Sequence, residues 1–298
     1  MAMALLLLAL SVCGGGDAPS PTPPPYNSFI GARELTVGEN RFSFAIASLD
    51  GGVVENATVH LQFYSHQVES RTSGFAGPAA YRQAQGVTPH VHQDGELHEH
   101  LDVRGFYVVD AASFDAPGIW SASFTATSSQ GESLHVADLA FNVTDASNVP
   151  NVGDPVPATQ NPTVHDVAHI QEICTHSPPD DMHQLSVAQA LEQHKPFVVV
   201  WSTPLFCVSA MCGPVSDVVI SLEDSYRSRV NFLHIEPWDL ELARNEGRLV
   251  PTGLVLEWGL PTEPWVFVVD AQGRVAARFE ALVAGEEVRA ALDRLLSS

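Results

Sequence analysis

Residues 197–201 read Phe-Val-Val-Val-Trp, five apolar residues in a row, three of them β-branched. A run like this, with no polar interruption, is a strand buried on both faces, so other layers must cover it. The next residues narrow the fold further. Ser202-Thr203-Pro204 ends the strand, Cys207 and Cys212 come after it, and Gly213-Pro214 can open a helix. The strand end thus hands two thiols to a helix N-terminus. Such a terminus stabilises the thiolate, the reactive form of cysteine.

The spacing limits how the two thiols relate. On one continuous helix, residues five apart have Cα atoms roughly 8 Å apart. A disulfide needs less than about 7 Å. Bonding therefore requires both cysteines to precede the helix. Pro214 favours that arrangement, because proline is best tolerated in the first helical turn and sets the start near Gly213. Cys212 then sits at or beside the N-cap, with Cys207 in the loop before it. Helix-dipole grounds give Cys212 the lower pKa, whereas Cys207 comes first along the chain, so which thiol attacks stays open.

The chain has 298 residues, which predicts two domains. Its 45% hydrophobic and 16% charged content fits an ordinary globular core. A net charge of −21 opposes nucleic acid or an anionic membrane surface as a partner, and it attracts cations. Met1 to Val12 is apolar and followed by Cys13. It is too short to span a bilayer and reads as the apolar part of a secretory signal. Leu10-Ser11-Val12-Cys13 resembles a bacterial lipobox, although Val12 is larger than usual and no Lys or Arg precedes the run. The resemblance implies an extracytoplasmic, membrane-anchored lipoprotein lipidated at Cys13; a plain signal peptide would imply a secreted one. Residues 1–13 are thus signal and lipobox, and residues 14–27 a Pro/Gly-rich tether. The mature chain keeps three thiols, Cys174, Cys207 and Cys212. Outside the cytoplasm the close pair reads as an oxidisable couple.

Residues 28–146 read as all-β. Leu35 to Ala47, Ala57 to Tyr64, Gly118 to Thr127 and Leu134 to Val143 alternate or bunch as strands, with Asp50-Gly51-Gly52 as a turn. About seven strands without a helix predict an immunoglobulin-like β-sandwich. Gly105-Phe106-Tyr107 and Phe114-Asp-Ala-Pro-Gly-Ile-Trp120 resemble the YtkA-like immunoglobulin-fold modules of extracytoplasmic bacterial proteins. That resemblance implies a core position for Trp120 and a link to copper handling. Within this region His90, His92, His98 and His100 form two His-x-His pairs around Asp94-Gly95. A two-residue loop would put the pairs on opposite faces of a hairpin, and a three-residue loop would put all four on one face. Four imidazoles on one face suit zinc, copper or nickel, with copper or zinc the expected ion. Without a metal the segment is a solvated polar hairpin.

Residues 147–165, with Pro150, Pro155, Pro157 and Pro162, read as a linker. Residues 166–298 then show an amphipathic helix capped by Ser186, the strand 197–201, a helix from Pro214, a strand near Arg229 to Ile235, a strand–turn–strand from Trp265, and a closing helix from Glu286. This order, with Cys207, Cys212, Pro264 and the Val269-Asp-Ala-Gln-Gly-Arg-Val275 hairpin, resembles the extracytoplasmic thioredoxin-like oxidoreductases. The resemblance implies an α/β thioredoxin fold, so the expected fold class is an N-terminal immunoglobulin-like sandwich joined to a C-terminal thioredoxin fold. It also implies a cis bond before Pro264, lying against the cysteine pair. The Cys-x-x-x-x-Cys spacing departs from that family's Cys-x-x-Cys.

The function expected is thiol-disulfide exchange with protein thiols and disulfides of the cell envelope, needing no cofactor. The alternative is copper binding or delivery, because Sco-type copper chaperones use two cysteines of this loop and a distant histidine. Candidate histidines are His234, at a predicted strand end, and His176 or His183 near Cys174. Two cysteines at this spacing also resemble one peroxiredoxin subgroup, but Pro204 stands where that resemblance implies a peroxide-binding Thr or Ser, so a peroxidase is disfavoured. Cys174 by itself reads as an ordinary thiol.

Overall fold

The computed structural model describes residues 25–67, 70–84, 90–91, 97–98, 105–208 and 211–297. The first ten strands are β1 (Tyr26–Ile30), β2 (Gly38–Ser48), β3 (Thr58–Gln67), β4 (Ser70–Gln83), β5 (His90–Val91), β6 (Leu97–His98), β7 (Gly105–Phe114), β8 (Gly118–Thr127), β9 (Ser133–Leu134) and β10 (Leu139–Val143). Eight of them form one antiparallel sheet in the order β1-β2-β7-β4-β3-β8-β10, with β9 paired to β8.

Strand β4 decides this architecture. Its first part pairs with β3 as far as Val59↔Ala79, and its last four residues pair with β7, from Ala80↔Val108 to Gln83↔Gly105. One strand therefore passes continuously between halves that a sandwich would keep apart. The two ends of the sheet also approach each other. Tyr26 of β1 bridges Val136, the Ala137 N–H donates to the Tyr26 carbonyl at 2.9 Å, and Ser28 Oγ donates to the Ala137 carbonyl at 3.0 Å. The result is a nearly closed, barrel-like sheet.

Its interior is aromatic. Phe42, Phe63, Phe114, Phe141 and Trp120 are buried together, with Phe42 and Phe63 centroids 5.0 Å apart and Phe63 edge-on to Phe114 at 5.3 Å. Trp120 is buried as expected, and its indole N–H donates to the Ala116 carbonyl at 3.0 Å. Tyr107 donates its hydroxyl to the Val54 carbonyl and accepts the Ala57 N–H; burial pushes its pKa up to about 12. Gly105 lets β7 start against β4, since a Cβ there would stand 2.6 Å from the Arg82 carbonyl oxygen.

The C-terminal part carries a second sheet. Its elements are a 3-10 turn (Ile170–Glu172), α1 (Val187–Glu192), β11 (Phe197–Trp201), α2 (Cys212–Tyr226), β12 (Asn231–Ile235), α3 (Leu240–Glu246), α4 (Gly253–Glu257), β13 (Trp265–Val269), β14 (Val275–Glu280) and α5 (Gly285–Ser297). Strand order is β12-β11-β13-β14, with only β11 and β12 parallel. The apolar run is buried on both faces, as its composition demands. Val198 and Val200 pack with Val218, Val219 and Leu222 of α2 and Val288 and Leu292 of α5. Phe197, Val199 and Trp201 point the other way, onto Val187, Trp258 and Trp265. Ser186 caps α1 as expected, in a reciprocal capping box with Gln189.

The expected fold class is overturned. The chain is mostly β, 38% strand against 20% helix, and is dominated by a nearly closed antiparallel barrel-like sheet instead of a two-sheet sandwich. A C-terminal thioredoxin fold is not shown. The long helices α2 and α5, of 15 and 13 residues, cover one face of the second sheet, while α1, α3 and α4 are short, with six, seven and five residues. Between the last strand of the barrel and α1, the only helical segment among the described residues is the 3-10 turn.

The two sheets are joined by specific contacts. Phe106 and Val108 of β7 are buried with Leu282 and Ala284. Arg41 grips Glu287 with two parallel hydrogen bonds of 2.8 and 2.9 Å and also donates to the Leu282 carbonyl at 2.8 Å. The buried Glu280 carboxylate accepts the Arg33 and Glu34 N–H groups at 2.9 and 2.8 Å.

Candidate functional site

Helix α2 begins at Cys212, one residue before the expected start, with Met211 as N-cap. Pro214 falls in the first turn, where its missing N–H costs nothing. Cys207 lies in the loop between β11 and α2, so both thiols precede the body of the helix. Their sulfurs are 2.7 Å apart, and the Cys212 N–H donates to Cys207 Sγ at 3.1 Å. They are not joined in a disulfide.

The environments of the two thiols differ. Cys212 is fully buried, and burial, reinforced by the neighbouring Cys207 thiol, pushes its pKa well above the ordinary value. Cys207 is partly exposed, and its sulfur takes the N–H at the start of α2. The helix-dipole argument for a low pKa at Cys212 is therefore overturned: desolvation outweighs the dipole, and the first helical N–H serves the other sulfur.

Two further groups complete this corner. The Glu263–Pro264 bond is cis, as the resemblance implied. Glu263 accepts the Val208 N–H at 3.3 Å, and a carboxylate oxygen of it lies within 4.8 Å of both sulfurs. Burial raises the pKa of its carboxyl. Sequence reasoning missed Glu263, since nothing local marks a residue that acts from a loop 51 residues beyond Cys212.

A second constellation lies in the core. The donor atoms of Cys174, Asp180, His183 and His234 all fall within 4.8 Å of one another, and the group can hold a metal ion. Asp180 stands at its centre. Its Oδ2 accepts the Cys174 thiol at 3.3 Å and lies 2.8 Å from His234 Nδ1, while its Oδ1 lies 3.3 Å from His183 Nε2. Burial opposes ionisation of Asp180, but His234 and His183 outweigh it and hold the carboxyl far below the usual range. Burial likewise opposes the charged forms of Cys174 and the two histidines. The net shift is nevertheless downward for Cys174, driven by the two histidines against the opposing charge of Asp180, and upward for His183 and His234, driven by Asp180 and by Cys174.

Local structure brings these residues together. Residues 174–183 run along the outer edge of β12, where the His234 N–H donates to the Met182 carbonyl at 2.8 Å. Glu236 accepts both the Thr175 N–H and its hydroxyl at 2.7 Å. Of the three candidate histidines, His183 and His234 join this cluster. His176 turns away, bonding Asp217 at 3.0 Å and the Pro178 carbonyl at 2.6 Å. Neither Cys207 nor Cys212 belongs to the group. Cys174 therefore has ligand-type neighbours that its lone position in the sequence did not reveal. The crowding of Cys174, His176, Asp180, Asp181 and His183 within ten residues was the available signal.

The histidine-rich segment is described only in part. The backbone of β5 pairs with β6 in the register His90↔His98 and Val91↔Leu97, which is the register of a connection with an odd number of residues. His92, His100 and the Asp94-Gly95 turn lie outside the described residues, as do the signal, Cys13 and residues 14–24 of the tether.

No family model matches the chain, and no curated protein is similar to it. The chemistry of the site rests on the residues themselves.

Proposed function

We propose that the chain is a thiol-disulfide oxidoreductase that acts on protein thiols and disulfides. The observation that carries this reading is the 2.7 Å contact between the sulfurs of Cys207 and Cys212, one partly exposed and one buried. An exchange couple needs that asymmetry. The accessible sulfur attacks, and the shielded one waits until a mixed disulfide forms beside it.

In the reducing direction the Cys207 thiolate attacks a substrate disulfide and one substrate thiolate leaves. The buried Cys212 thiol then gives its proton to Glu263 and attacks Cys207 Sγ. The second substrate thiolate leaves, and two electrons have passed from the pair to the substrate. Cys207 and Cys212 are the catalytic residues here, with Pro264 shaping the surface beside them. The apolar run ending at Cys13 supports an extracytoplasmic, lipid-anchored location, and the net charge of −21 speaks against nucleic acid as a partner.

Insulin reduction by wild type, Cys207→Ser and Cys212→Ser tests the reading. Turnover lost in both variants supports it. Wild-type protein that neither reduces a model disulfide nor oxidises a model dithiol would overturn it.

Copper binding at the same corner is a second reading. It is favoured by the grouping of two sulfurs with the Glu263 carboxylate within 4.8 Å. Paired thiolates suit Cu(I), and the His90/His92/His98/His100 segment would supply imidazoles for copper or zinc. A Cu(I) competition assay on the same variants separates the two: tight binding without turnover favours copper.

A further inference from the structure

We infer that Cys174, Asp180, His183 and His234 form a structural binding site for a divalent cation of the zinc class. The site is distinct from the thiol pair and independent of the activity proposed there.

The donor set is one sulfur, two imidazoles and one carboxylate, the mixture a tetrahedral zinc ion takes. Cys174, His183 and His234 are each at most 2% exposed, so the cluster is walled off from water. Gathering these groups in a core without a cation is costly, and one of them shows it directly. Among the described residues, His183 Nε2 is buried without a hydrogen-bond partner, and its 3.3 Å approach to Asp180 is not aligned as a bond. That atom points into the cluster and offers a lone pair there.

The second imidazole is already oriented for a metal. His234 Nε2 faces Ser202, 3.1 Å from its carbonyl and 3.0 Å from its hydroxyl, which in turn meets Ser216 Oγ at 2.6 Å. A carbonyl only accepts, so it places the proton on Nε2 and leaves Nδ1 for a cation. Tetrahedral coordination by these atoms sets ligand–ligand edges of ~3.3–3.8 Å. Contacts of 2.8 to 3.3 Å to Asp180 need only small outward shifts to meet them.

A cation there would order a segment that has little regular structure to hold it: residues 174–183 contain no helix or strand of their own. The ion would tie them to β12. Next in the chain, Thr175 Oγ1 accepts the Leu205 N–H at 3.3 Å, which links the cluster to the loop that carries Cys207. The ion would brace that loop from behind.

The test uses the full chain as Cys207→Ser/Cys212→Ser, which removes the thiol pair from metal binding and makes the outcome independent of exchange activity. The expected result is one Zn²⁺ retained per chain after desalting. Co²⁺ should give tetrahedral d–d bands together with a sulfur-to-cobalt charge-transfer band. Adding Cys174→Ser should abolish that band. His183→Gln, which breaks no hydrogen bond of Nε2, should weaken Zn²⁺ binding at least about tenfold. The histidine-rich segment contains no cysteine, so it cannot produce the sulfur band. Absence of stoichiometric Zn²⁺, or Zn²⁺ and Co²⁺ binding unchanged by both added substitutions, would overturn the inference. Should Cys174→Ser not fold, the His183→Gln result alone decides.

Discussion

The backbone N–H of Cys212 donates to the sulfur of Cys207 at 3.1 Å. The helix that begins at Cys212 thus serves its neighbour's sulfur, while Cys212 itself is buried with a raised pKa. The two thiols therefore have different environments, one sulfur at the helix N-terminus and the other desolvated beneath it.

Cys207 should alkylate at least about tenfold faster than Cys212 in the reduced protein, because the thiolate and not the thiol reacts. Iodoacetamide labelling with peptide mass spectrometry measures both rates. In the same vein, Cys212→Ser should accumulate a mixed disulfide at Cys207, and Cys207→Ser should accumulate none. Equal labelling of the two would remove the assignment.

Glu263→Gln should slow the resolving step by about a hundredfold while leaving the first attack nearly unchanged, since only the buried thiol must lose a proton. Burial raises the Glu263 carboxyl. In wild type, resolution should therefore rise with pH as that carboxyl ionises above the ordinary carboxylate range. The glutamine variant should lose this limb of the profile. Single-turnover quench experiments across pH read both effects.

Asp180→Asn should destabilise chelator-treated protein by about 3–5 kcal/mol, because it leaves a buried imidazolium at His234 without its partner. The pH dependence has a definite sign. Asp180 is lowered, so its contribution is complete above the ordinary carboxylate range and is lost as pH falls through and below it. His234 is raised, so its contribution is complete below about pH 6.5 and is lost as pH rises through its folded value. The gap between wild type and Asp180→Asn should therefore be widest between roughly pH 4 and 6.5, as measured by urea unfolding.

Arg41→Ala should cost about 2 kcal/mol, because it leaves the largely buried Glu287 carboxylate and the Leu282 carbonyl without their shared donor. Arg41 lies on β2 and Glu287 on α5, so the loss falls on the join between the two sheets. Differential scanning calorimetry should show a lower melting temperature, or two transitions where the wild type has one.

Much of the site was legible because its determinants are local. The apolar run 197–201 specifies a doubly buried strand, and Pro214 specifies a helix start to within about a residue or two. The five-residue step then places both thiols ahead of the helix body. The capping box of Ser186 and Gln189 is equally local. The cluster around Asp180 was not legible. His234 comes from a strand 51 residues beyond His183, and only the lie of residues 174–183 along the edge of β12 brings them together.

By itself the sequence determined that residues 197–201 form a buried strand, that a helix starts within a residue or two of Pro214 with Cys207 and Cys212 ahead of its body, and that the first half is β. These depend on residue periodicity and on hydrogen bonds between near neighbours. Only the tertiary structure decided that β4 joins both halves of one barrel-like sheet in place of two facing sheets. It also decided that Cys212 is the shielded thiol, and that Cys174, Asp180, His183 and His234 share one buried site. Strand pairing, desolvation and the meeting of distant side chains are set by packing over the whole chain, and no local pattern encodes them.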